Sequence, residues 1–492
     1  MAFRALDNET EHTPERSAHT PSEASSTMTA TARIALAVVL VAELMNILDE
    51  AVVLTALPAI QTSIGAGPAA VQWLTVGYTL TFALGLITGG RLGDAYGRRK
   101  ILLLGTTVFT LASLLCGTAT GPGMLIAARV LQGSGAAVMI PQVLATMHVT
   151  FVGEHRSKAF GLYGAVLTVG TVTGPILGGT LTQADLFGLS WRPIFLINVP
   201  IGLAVITLGR TFLTESTAAK ADRFDRTGVL LSALAMVLIV YPLTEGHSHR
   251  WPLWCFAMLG GGLLVSVIFL YHQHRKTDAP LVALSLFKGK QFSSGLCTQL
   301  LLGLLLGMFY LTWTLYLQRG LNMNPLRAAL AFMLIALGEM AGAIIAMKTA
   351  GRFGRRVPQT GALIGFASMV AYGFQITSEQ AELTIPAMTG PLLVLGIGFG
   401  TIGAPVADIS LAKVPHESAG SASGLFNTSL QLGIAFGTAL TAVVFFSTIG
   451  DSPDSTAIRD AFTGVLWWVG GAFTAMWALM FFLPKHTHSQ TG

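Results

Sequence analysis

Charge is scarce in this 492-residue chain: Asp, Glu, Lys and Arg make up 11% of it, against about 25% in an ordinary soluble domain. So few charges cannot cover a water-facing surface. With 52% hydrophobic residues and a mean hydropathy of +0.65, the chain reads as an integral membrane protein. Cysteine is scarce too. Cys116, Cys255 and Cys297 are odd in number and dispersed in or beside apolar runs, which excludes a disulfide framework and a metal-ligand spacing. No Walker A phosphate loop is present, so ATP does not drive the chain directly. Residues 1–32 lack the apolar centre of a cleaved signal peptide. They are rich in Ser, Thr, Glu and Pro and read as a disordered tail. Formal charge is +5, but the basic residues are scattered over short loops, which argues against nucleic acid as a partner.

What is abundant is apolar sequence. Fourteen runs approach the roughly 20 residues a spanning helix needs: 33–60, 71–90, 101–119, 122–145, 158–180, 193–213, 227–245, 252–271, 293–317, 326–348, 359–377, 386–411, 420–447 and 461–483. Placing the N-terminus inside and alternating puts 23 of the 29 Lys and Arg residues on the inner side and 5 outside, with Arg129 left within the membrane. Such a bias orients a multi-pass protein of the plasma (inner) membrane with both termini cytoplasmic.

The chain also echoes itself. The stretch Gly161–Gly179 spaces Gly170, Gly174 and Gly178 four residues apart, followed by Gly179, and Pro175 predicts a bend. Gly-xxx-Gly spacing lets another helix backbone approach closely. Gly424–Gly437, laid on Gly161–Gly174 without a gap, matches Gly161, Gly170 and Gly174 with Gly424, Gly433 and Gly437. The loop GRLGDAYGRRK (Gly90–Lys100) has a counterpart in GRFGRRV (Gly351–Val357), which pairs Gly97 with Gly354. The expected fold is therefore all-α: 14 transmembrane helices, as two pseudo-equivalent six-helix halves plus a two-helix central insertion. The expected boundaries are a cytoplasmic tail over 1–32, a first half over 33–213, an insertion with cytoplasmic loops over 214–292, a second half over 293–484 and a C-terminal tail over 485–492.

In the first loop, Gly93 and Gly97 supply a turn, and Asp94 can accept from free N–H groups at a helix start. Arg98 and Arg99 hold the loop at the inner surface. In the first run, Glu43, Asn46, Asp49 and Glu50 fall within an arc of about 120°. A charge in the bilayer costs a few kcal/mol or more, so it faces the bundle interior and marks a candidate site. Burial favours a neutral carboxylate and a nearby cation favours an ionised one, the tension a proton carrier needs. The cation at hand is Arg129, with Gln132 one turn on. A structural ion pair is the competing reading. Glu339 and Asp408 either face a central cavity, meeting a cationic substrate or a proton, or sit near a membrane edge. Asn427 and Gln431 join Asn46 and Gln132 as polar candidates for that cavity.

Other matches fail. Gly398, Gly400 and Gly403 form a GxGxxG inside an apolar helix with no strand before it, which excludes a dinucleotide site. Ser134 in Gly133-Ser134-Gly135 has no assignable base, so an enzyme is not expected. The pairs His247/His249 and His272/His274 lie at loop edges and read as solvated.

Together, LDEAVVLTALP (Leu48–Pro58), GRLGDAYGRRK, RVLQGSGAAVMIP (Arg129–Pro141), the stretch ending GPILGG and WRPIFLINVPIG (Trp191–Gly202) resemble the major facilitator superfamily, in particular its fourteen-span drug:H+ antiporters. The resemblance implies that the loop Gly90–Arg99 controls conformational change, that the glycine-proline span is an exporter feature, and that Asp49 and Arg129 match residues of proton coupling. The chain departs from that pattern at Ala95, Ala51 and Leu54, and Glu50 adds a second acid. The implied activity is proton-coupled export of hydrophobic, including cationic, small molecules by a monomer in the lipid bilayer. It would need no cofactor or metal and would run on the proton gradient. The alternatives are a dedicated exporter of one native metabolite, antibiotic or lipid, and a non-transporting membrane sensor.

Overall fold

The computed structural model describes residues 28–151, 153–217, 225–276, 280–282, 284–378, 384–412, 414, 419–449 and 454–484. Most of the expected N-terminal tail, all of the C-terminal tail, and Lys220, Arg223 and Lys413 lie outside the described residues. All regular structure among the described residues is helical.

Fourteen long helices follow one another: α1 (Ala30–Ile64), α2 (Pro68–Tyr96), α3 (Arg98–Gly117), α4 (Pro122–Thr150), α5 (Gly153–Ala184), α6 (Pro193–Phe212), α7 (Arg226–Glu245), α8 (Leu253–Arg275), α9 (Lys290–Gly320), α10 (Pro325–Phe353), α11 (Arg356–Ser378), α12 (Ile385–Leu411), α13 (Ala422–Ile449) and α14 (Ser455–Phe482). Thirteen are long and apolar enough to cross a membrane. The other, α1, has the length but carries Glu43, Asp49 and Glu50.

The helices overrun the apolar runs because turn chemistry, not hydropathy, ends them. Thr29 caps α1 before Arg33, so the helix reaches back into the expected tail. Gly97 (φ 108°) separates α2 from α3, and Gly354 (φ 54°) separates α10 from α11. Both glycines hold a left-handed backbone that other residues adopt only under strain, at the positions that the sequence echo pairs.

Helix contacts repeat in the two halves. α1 packs on α5 and α2 on α4; likewise α9 packs on α13 and α10 on α12. The halves meet through α5 on α10 and α13 on α2, so the fifth helix of each half rests on the second helix of the other. The insertion, α7 and α8, packs on itself and reaches α2 and α13 through α7. Trp73 Nε1 donates to Glu245 Oε1 at 2.9 Å and fastens it to α2.

The largest apolar core joins both halves, but its first-half members come from the end of the bundle near Gly65: Val52, Leu57, Ile60, Val71, Leu125, Trp191. There Gln318 Nε2 donates to Thr55 O at 2.8 Å across the seam. At the other end, near Gly97, the first half has a separate core of its own, around Tyr78, Phe109 and Met147.

Candidate functional site

Five helices of the first half converge on Asp49, which is fully buried on α1. Its Oδ2 accepts from Arg129 Nη1 of α4 at 2.5 Å. Its Oδ1 accepts from Gln132 Nε2 at 2.7 Å and from Asn198 Nδ2 of α6 at 2.8 Å. Arg129, 2% exposed, also donates from Nη1 to Gln132 Oε1 at 2.7 Å and from Nε to Leu74 O at 3.0 Å. Its guanidinium lies 4.2 Å from the centre of the Tyr78 ring on α2. Gln132 Nε2 reaches Ser113 Oγ of α3 at 2.8 Å. Tyr78 Oη donates to Asn46 Oδ1 at 2.6 Å, one turn before Asp49. A buried pair is tolerable only with its remaining hydrogen-bonding capacity satisfied, and this network satisfies both carboxylate oxygens.

Asn198, Ser113 and Tyr78 complete the network and were missed as site residues in the sequence. Asn198 did carry a signal, as a carboxamide inside the apolar run 193–213. Ser113 carried none, since a helical serine commonly bonds its own backbone, as Ser113 does to Phe109 O at 2.9 Å.

The other expected acids separate. Glu43 is buried on α1 beside Tyr163 of α5, and its Oε2 has no hydrogen-bond partner among the described residues. Glu50 is directed across the seam to Gln431 of α13, whose Oε1 is buried with no partner among the described residues. Glu339 accepts from Tyr310 Oη at 3.2 Å. It lines a cavity of about 310 Å³ between the halves, with Thr168 and Thr171 of α5 opposite. Asn427 is half-buried on α13 with no side-chain partner among the described residues. Asp408 is exposed near the end of α12 and outside that cavity; of the two placements open to it, the structure brings it to a helix end.

The loop after α2 is built differently from the expected cap. Asp94 Oδ1 pairs with Arg98 Nη2 at 2.8 Å, one helical turn away. The start of α3 is capped by Glu215, from the segment after α6, which accepts from Arg99 N at 3.0 Å and Lys100 N at 3.3 Å. The turn at Gly97 leaves Asp94 on the previous helix, unable to reach round. Gly93 lies against Gln142, whose Nε2 donates to Gly89 O at 2.7 Å, and Gly90 sits beside Pro141. Arg98 N donates to Ser216 O at 2.9 Å. In the second half, Arg355 Nη1 likewise reaches the end of the last helix, donating to Phe481 O and to Leu483 O.

The glycine face of α5 meets α1. A Cβ on Gly170 would lie 2.8 Å from Ile47 Cγ2, one on Gly174 2.5 Å from Ala51 Cβ, and one on Gly178 2.8 Å from Val52 Cα. Gly179 faces the other half, where its Cβ would be 2.7 Å from Pro325 O of α10. Gly161 takes no part: among the described residues nothing lies within 4 Å of its Cβ position. The echo holds, as Gly433 and Gly437 of α13 pack on the α9 backbone at Gly303 and Leu304. The rejected GxGxxG serves the same end, with Gly398 against Gly365 and Gly400 against Glu339 and Ala343.

His272 differs from the solvated reading. It lies 3.0 Å from Asp225 Oδ1, a buried carboxylate at the start of α7 that also receives Gln273 Nε2 and Lys276 Nζ. No group of three His, Cys, Asp or Glu side chains placed to hold a metal occurs among the described residues.

Two equivalent six-helix halves and a two-helix insertion, with a buried ion pair in the first half and a cavity at the seam, have the architecture of a secondary transporter. Residues 39–438 match the Major Facilitator Superfamily, and the chain belongs to that family. The probable actinorhodin transporter of Streptomyces coelicolor is 38% identical over 420 residues, covering 85% of this chain and 73% of that protein. The tetracenomycin C resistance and export protein of Streptomyces glaucescens is 32% identical over 458 residues, covering 92% and 82%. Among solved structures, the fold is similar to a bacterial homolog of the human lysosomal transporter Spinster, inward-facing and unoccupied, with TM-score 0.67 and 15% identity over 94% of this chain and 100% of that one. A D-xylose–proton symporter gives TM-score 0.65 and 15% identity, covering 92% and 98%.

Proposed function

We propose that this chain is a proton-coupled exporter, a drug:H+ antiporter of the plasma membrane that moves hydrophobic, including cationic, small molecules out of the cell as a monomer. A relative named for resistance and export, that for tetracenomycin C, supports the direction of transport. The observation that carries the coupling is the Asp49–Arg129 pair, wholly buried and closed by Gln132 and Asn198. With both termini cytoplasmic, the Gly65 end is external. There the seam is closed by the Thr55–Gln318 bond and by Gly179 against Pro325.

A proton arriving from outside neutralises Asp49. The pair to Arg129 then loses its charge attraction, and α1 is held less firmly to α4 and α6. The two access states differ in affinity for the proton and for the substrate, and that difference couples the fluxes. Substrate is received in the cavity between the halves, where Glu339, oriented by Tyr310, faces α5. The loop Gly90–Arg99 is tied through Glu215 to the end of α6, so α2, α3 and α6 move as one body.

The test is Asp49→Asn in proteoliposomes with an imposed pH gradient, where gradient-driven export is expected to vanish. Undiminished export would sink the coupling role. A second reading, a dedicated exporter of one native metabolite, is favoured by relatives whose names each carry a single compound. Response to one chemical series in a substrate panel would select it.

A further inference from the structure

We propose that the cavity of about 630 Å³ at the Gly65 end of the bundle is a second binding site, separate from the Asp49 network, for a soluble aromatic organic anion. Its size falls in the range of small-molecule sites. Two cations line it, Arg250 of the α7–α8 turn and Arg319 at the end of α9, with His247 beside them and no carboxylate in the lining. Neither guanidinium has a hydrogen-bond or carboxylate partner among the described residues. Arg250 is exposed and Arg319 half-buried, and a guanidinium without a carboxylate partner is free to hold an organic anion by bidentate, charge-assisted bonds.

Three further features shape the site. Gln61 Oε1 of α1 is buried with no hydrogen-bond partner among the described residues, which offers an acceptor to a hydroxyl or N–H of the ligand. Phe445 and Phe446 supply an aromatic wall. The backbone around the arginines is irregular. Arg250 and Trp251 are consecutive left-handed residues, φ 58° and 53°, and Arg319 lies in a π turn over Tyr316–Gly320. Such local departures persist where surrounding structure enforces them and cluster at ligand sites.

The experiment uses the full chain in phosphatidylcholine nanodiscs, titrated with anthracene-9-carboxylate and with its neutral analogue anthracene-9-methanol. The carboxylate is expected to bind about tenfold or more tightly than the alcohol, and R250Q/R319Q to remove that preference. R250K/R319K, which keeps both charges, should retain it, showing that the Gln variant has not simply lost the fold. Equal affinity of acid and alcohol, or unchanged acid binding by R250Q/R319Q, overturns the proposal. Adding phosphatidylglycerol to the nanodiscs separates the two sources of an anionic group. Persistence of acid binding supports the soluble ligand, and full displacement of the acid assigns the arginines to a lipid headgroup and overturns it.

Discussion

Asp49→Asn does more than delete a titratable group. In the native network Oδ2 faces one donor, Arg129, and Oδ1 faces two, Gln132 and Asn198. An asparagine has a single acceptor oxygen, so its NH2 must confront either the guanidinium or the two carboxamides. Arg129, 2% exposed, is also left without its counter-ion. Removing one member of a buried pair costs about 3–5 kcal/mol, a large fraction of the stability of a folded domain. The single variant should therefore melt well below wild type in detergent, and its loss of export alone would be ambiguous. Asp49→Asn combined with Arg129→Gln removes the orphaned charge and restores neutral pairing, which should recover most of the stability. The pair of variants separates packing from chemistry. Both should fail to couple export to a pH gradient, and only the single variant should lose thermal stability. A double variant that still exports against a concentration gradient would refute Asp49 as the proton carrier. A single variant as stable as wild type would refute the energetic account of the pair.

Three other outcomes are expected. Gly174→Leu places side-chain atoms where a Cβ is already 2.5 Å from Ala51 Cβ, so α5 must part from α1. Overpacking of this kind costs about 1–3 kcal/mol, and export should fall while membrane yield stays normal; Gly161→Leu, facing open space, should export normally. Asn198→Ala removes a 2.8 Å donor from a buried carboxylate. The cost of about 1.5–3 kcal/mol should appear as a lower melting temperature, and an unchanged one would remove Asn198 from the network. At Asp225 burial pushes the carboxyl up, but hydrogen bonds from His272, Gln273, Lys276 and the Gly228 N–H outweigh it and hold the group well below the usual carboxylate range. A lowered folded-state value means that the stability is fully present above the ordinary Asp value of about 3.9 and fades progressively as pH falls from there through the lowered one. The melting gap between wild type and Asp225→Asn should thus be constant from neutral pH to about 5 and narrow below about 4; a gap that does not narrow below about 4 would refute the account of Asp225.

Much of the fold was legible because the bilayer restricts the options: a spanning segment must be a helix of sufficient length. Hence fourteen apolar runs become fourteen helices. Helix ends were less legible, since they depend on Gly65, Gly97 and Gly354 rather than on hydropathy. At the candidate site, Asp49, Arg129 and Gln132 were readable because charged or strongly polar groups in apolar runs need partners. Which partners they find was not readable, because Asn198 and Ser113 arrive from helices far along the chain. Asp94 shows the same limit. Its spacing suits a cap, but the cap is made by Glu215, from a segment that sequence proximity does not suggest.

The network and the glycine seam share one helix, and this bears on how a proton could move the molecule. Asn46 and Asp49 hold one face of α1 to α2, α4 and α6. Ile47, Ala51 and Val52 hold its other face to the glycines of α5. Long side chains at that second contact would absorb a small shift by changing rotamer. Gly174 against the Ala51 Cβ and Gly178 against the Val52 backbone leave little to yield, so α1 and α5 move together. The next glycine, Gly179, rests on the backbone of α10 in the other half. Thr55, just beyond Asp49 on α1, meets α9 through Gln318. A change in the grip on Asp49 therefore reaches the second half by two contacts, neither with a flexible side chain at both ends. Under the proposed coupling, the intramembrane acid and the glycine helix are two parts of one device: protonation weakens the pairing of the first, and the second transmits the change as a displacement of the seam.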